Sequence, residues 1–579
     1  MFDVPALGLL SILYLPNTCI AAWRSDAGPG NAINHDIRDL NGSHNWESGC
    51  PQLSPLLPKK SENLSLMDEY LASAEFFKAS VQRVSQAVRI DTTSNDDMRN
   101  LPGNHSAWNH MYNFSRYLKD TFPFIHESLT LDRINTHGLV YTWQGKNSSL
   151  HPTILLAHQD VVPVQPETEN HWTHPPFSGD FDGTYVWGRG AFDCKSTLIA
   201  SLEAVEQLLE AGYAPERTVV LAFGFDEEIS GDQGAKHIAK SLERRYGEDG
   251  VALLIDEGPG IFQSLIPGSS YALPGLAEKG YLDVEVVVHM RTGHSFMPPK
   301  HNSITVMAEL IRKLEESPFQ VQLHNTNPIL DTILCLGQHE PRAAPILSGM
   351  NWNVIKQIAK YITSGNEFLG LLAAFPPFTQ PLIRTTQSSS IISGGLKANI
   401  VPERTSLIIN HRIVHGTTVN DVKDHLTQVV RTFVEGFNGE NHEKGFLRFI
   451  GWDQEHEDID TISLRTRPGY SEPSPITPSS VDGTTPYSVL HGTIQALYGA
   501  DITVVVPFVA PASTDSRHYN KLTKHIFRFS PGSDVADATD NVHHSHAHGT
   551  DERVNMRGHV NAVRWYSMFI RNMDEANLD

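Results

Sequence analysis

Cysteine is scarce in this chain of 579 residues, which has only Cys19, Cys50, Cys194 and Cys335. Cys19 lies in a stretch expected to be removed, so a disulfide framework is not the stabilising device. Positive charge is also short. Forty-five Lys and Arg face 66 Asp and Glu, for a net charge of −21, and the cations form no block. Phosphate binding needs clustered cations, which excludes nucleic acid as a partner. Past the N-terminus no apolar run approaches the roughly 20 residues that cross a bilayer. Two hydrolase signatures are missing as well. Without His-Glu-X-X-His there is no thermolysin-like zinc helix, and without Gly-X-Ser-X-Gly no serine nucleophile elbow.

What remains is an ordinary globular balance, 40% hydrophobic and 19% charged, in a chain too long for one core. Ala6 to Leu15 is apolar and is followed by small residues up to Ala22. This reads as a secretory signal, with an uncleaved anchor as the alternative. Asn41, Asn63, Asn104, Asn113 and Asn147 each open an Asn-X-Ser/Thr triplet, and none follows residue 150. Such acceptor sites agree with export, to a vacuole or the exterior. Residues 23 to about 65 are polar, rich in Gly, Asn, Ser and Pro, and read as a loose leader. The ordered chain is expected to begin with the helical pattern Met67 to Val88.

Between residues 150 and 260 strand and helix patterns alternate. Thr153–Ala157, Thr218–Phe225 and Val251–Ile255 are continuous apolar runs, the mark of strands buried on both faces. Lys195 to Ala211 carries Leu198, Leu202, Val205 and Leu209 at helical spacing, and Gly212 stops it. The alternation predicts an α/β sandwich with helices on both faces. Near residue 275 the pattern changes. Leu282, Val284, Val286 and Val288 alternate as in a half-buried strand. A helix over Asn302–Glu316 follows, with Ile304, Met307, Leu310, Ile311 and Leu314 as its inward stripe. A second alternating strand (Thr405–Ile413) and a helix over Val419–Val434 complete a small α+β unit with an open sheet.

Acidic and histidine clusters stand directly after the three buried strands: His158-Gln159-Asp160, Asp226-Glu227-Glu228 and Asp256-Glu257. In open α/β sheets the strand carboxyl ends line the ligand crevice, so the three clusters converge. A fourth, Gly188-Arg189-Gly190-Ala191-Phe192-Asp193, precedes the helix, and its glycines permit turns that aim a carboxylate inward. Zinc accepts His nitrogen and carboxylate oxygen, and a carboxylate with two oxygens is suited to touch two metals. Of the adjacent Glu227 and Glu228, one is free to bind metal while the other takes a proton from water. Asp160 is placed to orient the His158 ring.

These segments resemble the M20 metallopeptidases. The resemblance is carried by His158-Gln159-Asp160-Val161-Val162-Pro163, Trp187 to Lys195, and Asp226-Glu227-Glu228-Ile229-Ser230-Gly231, and it covers about residues 70 to 575. It implies two zinc ions per subunit. His158 and Asp256 would hold one and Glu228 the other, with Asp193 bridging both. Glu227 would be the general base and Asp160 the orienting group. His548, from His548-Gly549-Thr550-Asp551-Glu552-Arg553, is the last implied ligand, although Asp551 replaces the family's usual Asn. Thr292-Gly293-His294-Ser295 resembles the family motif whose histidine stabilises the oxyanion, from the lid or from a partner subunit, and so implies His294.

Asn399, Arg412 and Arg517 resemble substrate contacts. A bidentate pairing of Arg517 with a terminal carboxylate stands beside an ordinary surface salt bridge as alternatives. The implied division is a signal or anchor (1–22), a flexible leader (23–65) and a catalytic domain (66–274 and 438–579), interrupted by a lid or dimerisation domain (275–437). The implied activity is removal of the C-terminal residue from short peptides or N-blocked dipeptides of Gly-X type. A homodimer through the inserted domain is left open. An aminoacylase on the same zinc scaffold is the alternative, followed by a catalytically inactive binding module.

Overall fold

The computed structural model describes residues 50–263, 270–322, 327–339, 380–440, 446–454, 458–499, 503–532 and 545–578. The apolar N-terminal run and the Asn41 triplet lie outside them.

Two sheets organise the molecule. The larger has eight strands in the order Thr130–Ile134, Gly138–Trp143, Val219–Gly224, Thr153–His158, Leu253–Asp256, Ile526–Arg528, Gly275–Glu278 and Phe508–Ala510. Its centre is parallel, with Thr153–His158 flanked by Val219–Gly224 and Leu253–Asp256. Antiparallel pairs flank this centre, Gly138–Trp143 against Val219–Gly224 on one side and Gly275–Glu278 against Ile526–Arg528 on the other, so the sheet is mixed. The apolar runs are continuous because both faces are covered. Leu155, Leu221, Phe223, Leu253 and Ile255 pack into the core under the helices Ala74–Val88, Lys195–Glu210 and Met556–Glu575. Ile154, Leu156, Val220, Ala222 and Leu254 face the other way, onto Ile238 and Leu242 of Ala235–Tyr246. Their carboxyl ends therefore open at one edge, between two helical layers.

The second sheet has five strands, ordered Thr386–Gly394, Arg404–Ile413, Gly280–His289, Thr461–Thr466 and Arg448–Trp452. Its last two strands come after residue 437. Leu282, Val284, Val286 and Val288 bury one face beneath Ser303–Glu315 and Val419–Glu440. The first of these helices is capped by Asn302, whose side chain accepts the N–H groups of Ile304 and Thr305. Ile304, expected on the inward stripe, is 43% exposed; Val306 takes the buried place. The two connections to the larger sheet pair with each other through Tyr281 and Ser471, each N–H reaching the other's carbonyl at 2.9 Å.

Residues 50–61 depart from the expected loose leader. They run extended along the body, with the Gln52 amide bonded to both the N–H and the carbonyl of Val505. Leu56 N–H reaches Gly492 O at 2.8 Å. Hydrogen bonds of this kind are absent from the sequence signal, which is only composition. The helical pattern from Met67 divides into Glu62–Leu71 and Ala74–Val88, because Ser73 caps the second helix. Cys50 and Cys335 form a disulfide that ties this N-terminal strap to the helix Ile329–His339. Sequence reading did not foresee this bond, which among the described residues is a single tie rather than a framework.

Candidate active site

His158 ends its strand with its ring buried. Nδ1 lies 2.9 Å from the Asp160 carbonyl, which leaves Nε2 to face Asp193 Oδ1 at 3.0 Å and Glu257 Oε1 at 3.4 Å. The other oxygen of Asp193 lies 3.0 Å from His548 Nε2, and Glu228 Oε2 is 3.1 Å from that nitrogen. Asp193 thus offers one oxygen to each histidine. Two donor groups result, His158–Asp193–Glu257 and His548–Asp193–Glu228, sharing a carboxylate. The glycine-rich turn before Asp193 requires left-handed backbone at Gly190 (φ +81°), where a side chain would also strike Val161.

Glu227 and Glu228 occupy a single tight turn, Glu227–Ile229. Their N–H groups donate to the two oxygens of Asp160, at 3.0 and 3.2 Å. Asp160 is itself anchored by the Ser94 hydroxyl at 2.7 Å. Its carboxylate therefore holds the glutamate turn, and its backbone carbonyl is the nearer partner of His158. Asp226 closes the turn from behind, accepting from Gln233 and Gly234.

Asp256, expected as a ligand, is turned away. Its oxygens accept the N–H groups of Glu257 and Ser516, at 2.9 and 2.8 Å. Glu257 stands in its place beside His158. The strand runs through Asp256 and the chain then bends, so the side chain that enters the crevice is one position later than the strand alternation implied. Glu257 was visible in the sequence as the neighbour of Asp256, and only the bend selects it.

Four carboxylates meet two imidazoles here, and the electrostatics record the crowding. Burial, with Glu228 and Glu257 beside it, pushes the Glu227 carboxyl well above the usual range, against the pull of His158. Burial and the Asp193 charge raise Glu228 to about 7. Hydrogen bonds donated by its ring to Asp193 and Glu228 raise His548 to about 11. The set fits a cation. Glu228 Oε1 is buried without a hydrogen-bond partner, the surplus negative charge is uncompensated, and nitrogen-plus-carboxylate donors are those of zinc.

The remaining expected residues lie elsewhere. His294 is exposed on a short ribbon formed by Gly293–His294 and Ile400–Val401, with its ring against Phe296 at 4.8 Å. Asn399 is its neighbour there, accepting Ser295 N–H at 3.2 Å. Arg412 sits on the second sheet with its guanidinium over Tyr281, 4.8 Å from the ring centroid. Arg517 donates to the carbonyl of Ser230, directly after the glutamate turn, and Nε approaches His518 at 3.4 Å. It braces that turn.

A wound α/β sheet with a carboxylate shared between two histidines at its strand ends defines a metal-dependent hydrolase. The chain belongs to peptidase family M20/M25/M40, whose family model matches residues 154–572. It is 36% identical to carboxypeptidase S of Saccharomyces cerevisiae, over 91% of this chain and 89% of that one. It is 31% identical to the mouse N-fatty-acyl-amino acid synthase/hydrolase, over 80% of this chain and 82% of that one. Among solved structures the fold matches the di-peptidase Dug1p of Saccharomyces cerevisiae (TM-score 0.61, 12% identity, 90% of this chain and all of that one). It also matches human carnosine dipeptidase 1 (TM-score 0.59, 14% identity, 90% and 100% coverage).

Proposed function

We propose that the protein is a two-zinc carboxypeptidase that hydrolyses the last peptide bond of short peptides of Gly-X type. The observation that carries this reading is the Asp193 carboxylate, with one oxygen 3.0 Å from each of His158 and His548. His158 and Glu257 would complete one metal position, and His548 and Glu228 the other. Zinc bound by these residues would supply Lewis acidity and lower the pKa of a water.

Glu227 is the general base. It shares a tight turn with Glu228, a place that suits a group taking a proton from the attacking water and returning it to the leaving amine as the C–N bond breaks. Asp160 fixes the turn from which Glu227 reaches in. His294 supplies a donor for the carbonyl oxygen from the inserted unit of its own chain or of a second copy, and Asn399 beside it and Arg412 contact substrate. The insertion follows the second sheet, leaving the catalytic body at about residue 280 and returning to it after Thr466. Likeness to yeast carboxypeptidase S and the exposed Asn63, Asn104, Asn113 and Asn147 support a glycosylated protein of the secretory pathway.

An acyl-amino acid hydrolase is the second reading, favoured by the likeness to the mouse enzyme. An N-blocked Gly-Leu dipeptide and a fatty-acyl amino acid, each assayed with and without a chelator, separate the two. Chelator-sensitive cleavage of the dipeptide is expected to dominate, and preference for the acyl substrate would reverse the assignment. Chelator-resistant cleavage would remove the metal chemistry from both.

A further inference from the structure

Asp193 and His548 come from distant loops, yet their side chains meet at 3.0 Å. Between the loops lies a buried ion pair that the proposed chemistry does not use. Glu552 is fully buried. One of its oxygens accepts the N–H groups of Phe192 and Asp193, each at 3.1 Å, and the other takes Arg189 Nη1 at 2.5 Å. The second arm of Arg189 donates to the carbonyl of His548 at 3.2 Å. Trp172 supports the guanidinium, 5.4 Å from its ring centroid. Backbone pairing closes the junction. Gly188 N–H reaches Glu552 O at 2.8 Å, and Arg553–Asn555 pairs antiparallel with Tyr185–Trp187.

We infer that Arg189 and Glu552 are positioning residues that set the spacing of Asp193 and His548, and so the metal affinity on the His548 side of the site. The inference rests on the two-metal reading. A buried ion pair is a poor device for stability alone, because desolvation offsets much of its Coulomb gain. A planar guanidinium fork adds direction, since its two arms must point at two fixed acceptors. Here those acceptors are the Glu552 carboxylate, which holds the Asp193 backbone, and the carbonyl of His548 itself. The His158 side has a separate support, with Nδ1 on the Asp160 carbonyl and its N–H on Cys194 Sγ at 3.2 Å. The two sides of the site thus have independent scaffolds that meet at the shared carboxylate.

Arg189→Lys separates positioning from packing. The ammonium keeps the ion pair with Glu552 but lacks the second arm that holds His548. Zn2+ titration into the metal-free full chain, followed by calorimetry, is expected to show two equivalents in the wild type. In Arg189→Lys the first equivalent should keep its affinity and the second should weaken about 10- to 100-fold, as for other groups that orient a metal-bound histidine. Co2+ absorption should report the same loss as a changed spectrum of the second equivalent alone.

Glu552→Gln removes the charge partner of Arg189 and should weaken the second equivalent further; if that chain fails to fold, Arg189→Lys carries the test. Unchanged binding of both equivalents in folded Arg189→Lys overturns the inference, and so does equal weakening of both. Fewer than two equivalents in the wild type would instead overturn the two-metal reading beneath it.

Discussion

At the scale of single residues, the site turns on which neighbour of a pair enters the crevice. Glu257 faces His158, while Asp256 is bound to backbone N–H groups. Glu257→Ala is therefore expected to lose one zinc equivalent, whereas Asp256→Asn keeps both and loses part of its stability. Elemental analysis of the purified variants decides it, and the opposite pattern would restore Asp256 as the ligand. Glu227→Ala should bind two equivalents and lose nearly all turnover, because a positioned base contributes on the order of 10²- to 10⁴-fold. Wild-type rates in that variant would remove Glu227 from the chemistry. These residues were legible as clusters after apolar runs. Arg517 was legible as a candidate carboxylate partner but not as the brace of the glutamate turn, since the Ser230 carbonyl it holds is brought to it by the fold.

At the scale of elements, two ties join segments far apart in the chain. Cys50 and Cys335 are 285 residues apart and hold the N-terminal strap to the helix Ile329–His339. Cys335→Ser is expected to lower stability by about 2–4 kcal/mol, visible as a lower melting temperature under non-reducing conditions. An unchanged melting temperature would make the bond incidental.

The second tie is Lys279, at the junction of the two sheets, whose ammonium donates to the carbonyls of Pro381 and Arg384 at 2.7 and 2.9 Å. Burial, with Arg412 and Arg384 nearby, lowers it from 10.5 to about 7. Its folded pKa is below the unfolded one, so charging it opposes folding. That cost is full below pH 7 and fades as the pH rises towards 10.5. The melting temperature of Lys279→Met should accordingly gain less between pH 7 and 10 than that of the wild type; parallel profiles would deny the coupling.

At the scale of the molecule, the strand ends gather carboxylates that repel one another unless a cation intervenes. Metal binding to the folded chain alone stabilises it by about 4 kcal/mol when free metal exceeds Kd a thousandfold. Chelation should lower the melting temperature by several degrees, and added zinc should restore it. A melting temperature indifferent to chelator would mean that the cluster is held together without metal.

The sequence by itself determined the doubly covered sheet, because strands buried on both faces must be apolar throughout. It also singled out His158, Asp193, Glu227, Glu228 and His548, because each sits in a distinctive local motif, and the fold brings the His158, Asp193, Glu228 and His548 side chains together. Only the tertiary structure decided that Glu257 rather than Asp256 faces His158, that Arg517 braces the glutamate turn, and that residues 50–61 are bound to the body. It alone joined Glu552 to Asp193 and Cys50 to Cys335. The division has one physical cause. Burial periodicity and turn chemistry are local and are written into adjacent residues, whereas the direction of a side chain past a strand end, and its partner hundreds of residues away, depend on how the finished layers pack.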